Sequence, residues 1–144
     1  MRKQKNSKGQ TGKREIPRIY VAAGILWRED TLLVAKRPLT EPKAGYWEFP
    51  GGKQEPGERM EDTLIRELQE ELGVTCTELM PFTQIEHDYP DMQVCLHLFH
   101  VTQFVGEPQP LLKQELRWVS TNELEGLNFL PADRQILSHI QRPL

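Results

Sequence analysis

Two cysteines in 144 residues, Cys76 and Cys95, are too few to staple a small secreted scaffold. Both stand in strand-like surroundings and read as buried free thiols. No apolar run approaches the length needed to cross a bilayer. The polar, basic N-terminus also lacks the apolar core of a secretory signal. Residues 1–14 contain no acid, yet hold six of the 18 lysines and arginines (Arg2, Lys3, Lys5, Lys8, Lys13 and Arg14). The remainder sets 12 bases against 21 acids, and so acidic a body is poorly suited to gripping a nucleic-acid backbone. With Gly, Ser, Asn and Gln and almost nothing apolar, residues 1–15 read as a disordered basic tail. Residues 16–144 have the length and composition of one globular domain with its own core. The expectation is a cytoplasmic enzyme or binding domain, without a membrane segment or a stable nucleic-acid complex.

What is present is a β-rich chain with one clear helix. Ile19–Trp27 and Leu32–Val34 flank the polar Arg28–Asp30 and read as a hairpin. Pro38 to Gly57 is rich in proline and glycine and reads as loop, with Tyr46–Phe49 as a short strand inside it. Met60–Leu72 is the helix: Leu64, Ile65, Leu68 and Leu72 form its apolar stripe and Gly73 its stop. Phe82–Tyr89 and Gln93–Phe104 read as two strands joined across Pro90-Asp91, and Leu116–Val119 as another. Ser120 to Glu123 matches a capping box before a short helix. Pro131 opens a final helix whose apolar side is Ile136, Leu137 and Ile140. The pattern predicts α+β, a mixed sheet between helices.

The helix carries chemistry on a second face. Glu67, Glu70 and Glu71 are three and four positions apart, so they project together, well to the side of the leucines. Like charges so placed repel by a few tenths of a kcal/mol per pair, a cost that a bound divalent cation reverses. Clustered carboxylates suit magnesium. A solvated helix face looks the same in isolation, and Arg66 softens the repulsion by pairing with Glu70. The preceding Pro50-Gly51-Gly52-Lys53 argues for a site, because bare glycine backbone admits metal and phosphate closely and Lys53 adds a positive charge.

Gly52, Glu58, Arg66, Glu67, Leu68, Glu70, Glu71, Gly73 and Val74 together resemble the complete Nudix box. Nine specified positions at fixed spacing make that resemblance specific. It implies a Nudix fold, a mixed sheet sandwiched between helices, with the box as loop, helix and loop. It implies that Gly51, Glu67, Glu70 and Glu71 hold magnesium (or manganese in its place), that Arg66 orients a carboxylate, and that Glu58 supports the site from outside. It also implies hydrolysis of a nucleoside triphosphate to monophosphate and pyrophosphate, with Glu67 or Glu70 as general base. A monomer or a homodimer is compatible with it. A catalytically silent nucleotide-binding module is the alternative of a different class, though such modules usually lose box glutamates and this chain keeps all of them.

Lys36-Arg37, Trp47–Gly52, Tyr89-Pro90-Asp91, Arg117-Trp118 and Leu130–Asp133 are similar to the MutT branch of this family. That similarity implies a nucleotide pocket including Arg37, Phe49, Tyr89, Asp91 and Asp133, with Asp133 reading the base. MutT itself has asparagine there, which donates and accepts, whereas an ionised aspartate only accepts. Such an aspartate takes hydrogen bonds from guanine or 8-oxoguanine, and equally from cytosine, as in the related CTP and 5-methyl-CTP branch. The other reading makes Asp133 a favourable charge in the first turn of the last helix. Oxidised triphosphates such as 8-oxo-dGTP lead the expectation, with a CTP-type or broad-specificity enzyme as the alternative. Where the branch carries a late-loop glutamate this chain has Leu112, leaving Glu115 as a nearby substitute.

Overall fold

In the computed structural model, residues 16–144 are described; the disordered tail expected over 1–15 lies outside the described residues. Seven strands and one substantial helix follow in order: β1 (Arg18–Arg28), β2 (Thr31–Lys36), β3 (Trp47–Glu48), β4 (Gly51–Lys53), α1 (Met60–Leu72), β5 (Thr75–Tyr89), β6 (Met92–Val105) and β7 (Glu115–Ser120). The chain then turns through Thr121–Gly126, α2 (Pro131–Arg134) and Leu137–His139. The sheet runs β3-β2-β1-β6-β5, with β4 paired to β1 and β7 to β2. β1 and β6 are parallel and the other pairs antiparallel, so the sheet is mixed and the fold is α+β.

β1 is apolar on both faces because both are covered. Ala22 and Leu26 pack with Leu64, Leu68 and Leu72 of α1. Ala23, Ile25 and Trp27 point into a second core with Phe49, Phe129, Ile136 and Leu137. Burying each leucine of the α1 stripe contributes roughly 1.5–3 kcal/mol before entropy is counted. Ile65, expected in that stripe, is instead exposed, and Thr63 is buried. Gly73 ends α1 in the left-handed conformation (φ 71°), with its N–H donating to Gln69 O at 3.0 Å.

Several boundaries differ from the sequence expectation. The last helix is one turn, Pro131–Arg134, followed by a separate 3-10 turn. At Ile136 the backbone (φ −117°, ψ 3°) leaves helical geometry. Ile136, Leu137 and Ile140 are nonetheless buried, so packing rather than helical regularity places them. The layer opposite α1 is therefore a set of short turns. β5 begins at Thr75, not Phe82. The hairpin pairs only at Trp27–Leu32 and Arg28–Thr31 before β2 diverges to meet β7 and β3.

Candidate active site

β4 lays Gly51 and Gly52 beside β1, with Ala22 opposite Gly52 and Ala23 opposite Gly51. α1 packs over the same strands, so its carboxylate edge meets bare backbone. A Cβ at Gly52 would stand 2.2 Å from the carboxyl carbon of Glu67, and one at Gly51 would stand 2.0 Å from Ala22 O. Backbone leaves no room for a side chain at Gly51, whereas at Gly52 a side chain would displace the Glu67 carboxylate. The Gly51 N–H donates to Glu71 Oε1 at 3.3 Å.

Arg66 organises the outer side of this edge. Its Nε and one terminal nitrogen donate to both oxygens of Glu58, at 2.7 and 3.1 Å. The other terminal nitrogen donates to Glu67 at 2.9 Å and more loosely to Glu70 at 3.3 Å. Glu58 is itself pinned by the Glu55 N–H at 2.9 Å and the buried Thr63 hydroxyl at 2.8 Å. Bonding to Arg66, then to that backbone N–H, brings the Glu58 carboxyl down to about 2. The same contacts, Glu58 foremost, raise Arg66 above its ordinary value. Glu67, with 15% of its side chain exposed, is held between Arg66 and Gly52, while Glu70, at 57%, faces outward.

Glu71 lies deeper. Burial first, and then the neighbouring Glu67 carboxyl, hold it well above the usual carboxylate range. Two acids in contact at a buried point are an arrangement that a cation relieves. Glu67, Glu70, Glu71 and the Gly51 carbonyl are hard oxygen donors of the kind magnesium takes. Among the described residues, no three acidic, His or Cys side chains converge on one point as they stand. Arg66 draws Glu67 and Glu70 toward itself, and a divalent ion held here would compete with that guanidinium for the same oxygens.

From this edge a cavity of about 590 Å³ runs inward, within the range of small-ligand pockets. Gly51, Gly52, Lys53, Glu71, Leu112 and Gln114 line it, as do Arg37, Glu48, Phe49, Tyr89 and Asp133. Asp133 is 5% exposed. Burial first and then Glu48 push its carboxyl well above the usual range, against a lowering contribution from the Phe49 N–H. Its side chain makes no helix cap. Arg37 forms an ion pair with Glu48 at 3.2 Å and donates to Pro42 O at 2.7 Å. The Ala132 N–H donates to Tyr89 Oη at 3.3 Å, beside Asp133.

One cavity thus runs from Glu71 and the glycine strand to the buried acid at Asp133. Residues 21–139 match the NUDIX domain. The chain belongs to that family. The Nudix hydrolase resembles the CTP pyrophosphohydrolase of Escherichia coli, at 38% identity over 119 residues, 83% of this chain and 88% of that protein. It is 40% identical to an 8-oxo-dGTP diphosphatase of Proteus vulgaris over 91 residues, 62% of this chain and 81% of the relative. A solved structure from work on MutT of Aliivibrio salmonicida and Vibrio cholerae superposes with a TM-score of 0.74 at 34% identity, covering 85% and 95% of the two chains. No helix among the described residues is long and apolar enough to cross a membrane.

Of the sequence-selected residues, Arg37, Phe49, Gly51, Gly52, Lys53, Glu71, Tyr89 and Asp133 line one cavity; Glu58, Arg66, Glu67 and Glu70 stay on the helix edge beside it, and Asp91 and Glu115 lie apart. Asp91 sits in the exposed turn between β5 and β6 and does not line the cavity; Met92 does. A two-residue turn points its tip to solvent, which the motif alone does not reveal. Glu115 also stays off the cavity lining, half-exposed on β7 and paired with Arg117 at 3.1 Å. Two further cavity-lining residues, Glu48 and Gln114, are given no role by the motifs. Alternation along Trp47-Glu48-Phe49 was the available signal for Glu48, since it sets that side chain apart from its two aromatic neighbours. Gln114 left none.

Proposed function

We propose that this Nudix hydrolase cleaves nucleoside triphosphates, oxidised guanine nucleotides foremost, to the monophosphate and pyrophosphate with magnesium. One observation carries the reading: a single cavity joins Glu71 and the glycine strand, on which Glu67 packs at Gly52, to a buried acid at Asp133. The phosphate chain belongs at the first end, where Gly51 and Gly52 leave room and Lys53 offers a positive charge. Glu67, Glu70, Glu71 and the Gly51 carbonyl would hold magnesium, which shields phosphate charge and makes water more acidic when bound. Glu67 takes the proton of the attacking water as its oxygen bonds to phosphorus, and the bridging P–O bond breaks to release pyrophosphate. Glu70, being more exposed, serves as an outer ligand. Arg66, locked by Glu58, keeps Glu67 in place.

At the other end burial raises the Asp133 carboxyl well above the usual range, which favours the neutral acid, and a neutral carboxyl both donates and accepts much as asparagine does. That pairing suits the adjacent O6 and N7–H of 8-oxoguanine, whereas unmodified guanine has no hydrogen on N7. The N3 and N4 amino edge of cytosine offers the same complement, which keeps a CTP-type activity as the second reading alongside the Escherichia coli relative. A cytoplasmic nucleotide-pool role fits either.

The test is a ranking of modified and unmodified triphosphates by kcat/KM for wild type, Asp133→Asn and Asp133→Leu. The expected result is 8-oxo-dGTP above dGTP and CTP, an order kept by asparagine and flattened by leucine. An order unchanged in the leucine variant would remove Asp133 from base recognition.

A further inference from the structure

The segment between β6 and β7 is fastened to the end of the glutamate helix. The Gln109 N–H donates to Leu72 O at 2.9 Å, and the Leu111 N–H to Glu71 O at 3.2 Å. Lys113, at φ 61°, turns the chain back, with its N–H on Pro110 O at 3.0 Å. Gln114 completes the clasp with its side chain. Its Nε2 donates to Glu71 O at 3.2 Å, and its Oε1 accepts from the Leu112 N–H at 2.9 Å. Reversing the amide would set oxygen against carbonyl and N–H against N–H, so the two contacts fix its sense. The residue is 8% exposed and lines the cavity with Leu112 and Glu71.

Neither the turn nor the helix end needs this glutamine for its own closure. The Lys113–Pro110 bond closes the turn, and Gly73 stops the helix. What the Gln114 amide adds to the Leu111–Glu71 bond is a second link, from the Glu71 carbonyl to the peptide of Leu112, two walls of one cavity that come from distant parts of the chain. Only a side chain of this length with both a donor and an acceptor spans them.

We propose that Gln114 is a positioning residue for hydrolysis, fixing the main chain of Glu71 against the Leu112 wall so that the Glu71 carboxyl meets Glu67 and Gly51 in one geometry. The inference rests on the reading of Glu71 as a metal ligand. Outer contacts of this kind change metal affinity or turnover by about 10–100-fold when removed. A wall that merely filled space would change stability alone.

The experiment compares the full-length wild type with Gln114→Met, which keeps the length and loses both hydrogen bonds. Gln114→Glu, which keeps the acceptor and loses the donor, gives the same comparison where methionine folds poorly. Steady-state hydrolysis of 8-oxo-dGTP is measured beside Mn²⁺ binding to the nucleotide-free protein by electron paramagnetic resonance. The expected result is a kcat about 10-fold lower or more, KM within about twofold, and Mn²⁺ affinity reduced severalfold. A lower melting temperature with unchanged kcat and Mn²⁺ affinity would overturn the inference. Glu71→Gln separates the two layers of the argument. Weakened Mn²⁺ binding in Glu71→Gln but not in the Gln114 variants sinks the role of Gln114 alone; unchanged binding in all of them sinks the metal reading with it.

Discussion

A methyl group on Gly52 would stand 2.2 Å from the carboxyl carbon of Glu67, so the bare backbone of one residue makes the berth for the other. The clash is with the far end of a flexible side chain. Gly52→Ala is therefore expected to fold with stability within about 1 kcal/mol of wild type while displacing Glu67. Turnover should fall by about 100-fold or more, the scale of a lost general base. Gly51→Ala is expected to behave oppositely, because its Cβ meets the backbone of Ala22 and Ala23 in the paired strand. Overpacking there should cost about 3 kcal/mol. Urea denaturation and steady-state kinetics on both variants check the contrast; wild-type turnover in Gly52→Ala would contradict it.

Glu58 acts through Arg66. Bonding to Arg66 holds its carboxyl down at about 2, so it is charged throughout the working range and its contribution to stability is lost progressively as pH falls from its ordinary value of 4.5 to about 2. Glu58→Gln weakens the charge-assisted grip on Arg66 without touching the cavity. A kcat about 10–100-fold lower with little change in KM is expected, from the usual effect of outer-shell partners. A rise in KM alone would place Glu58 in substrate binding instead.

His100 supplies a pH signature far from the carboxylates. The Trp27 indole N–H donates to its Nδ1 at 2.9 Å, and the ring packs 4.8 Å from Phe82, centroid to centroid. Burial lowers its pKa, and protonation would place a second N–H against the indole donor. Below about 6.5 the unfolded chain takes up a proton that the folded protein refuses, so stability falls with falling pH until the folded ring titrates. Glu71 and Asp133, raised by burial, act in the opposite sense, stabilising as pH falls. The difference between wild-type and His100→Gln unfolding curves isolates the histidine. It should shrink from pH 7 to 5 if the imidazole is held neutral; a constant offset would show that it is not.

The glutamate helix was legible in the sequence because its information is local. Leucines at 64, 68 and 72, the carboxylates beside them and the stop at Gly73 share one stretch of chain, and a 3.6-residue period orders them. Ile65 misled because one step around the helix carries it from the packed stripe to the exposed edge. The remainder depends on contacts that spacing does not encode. Asp133 reads as an ionised acceptor until the fold buries it beside Glu48, and Glu115 reads as available until β7 turns it toward Arg117. The Gln114 clasp joins residues 43 positions apart, with no motif at either end. Packing of Ile136, Leu137 and Ile140 survived although their helix did not form, since apolar burial tolerates broken geometry better than a hydrogen-bond ladder does.

The most direct test of the carboxylate edge as a metal-dependent phosphohydrolase centre is product analysis of 8-oxo-dGTP incubated with the enzyme, with and without magnesium, beside Glu67→Gln. The account predicts 8-oxo-dGMP and pyrophosphate with magnesium, none after chelation, and turnover reduced by about 100-fold or more in the variant. Cleavage that survives chelation, release of orthophosphate and a diphosphate, or full activity in Glu67→Gln would contradict it.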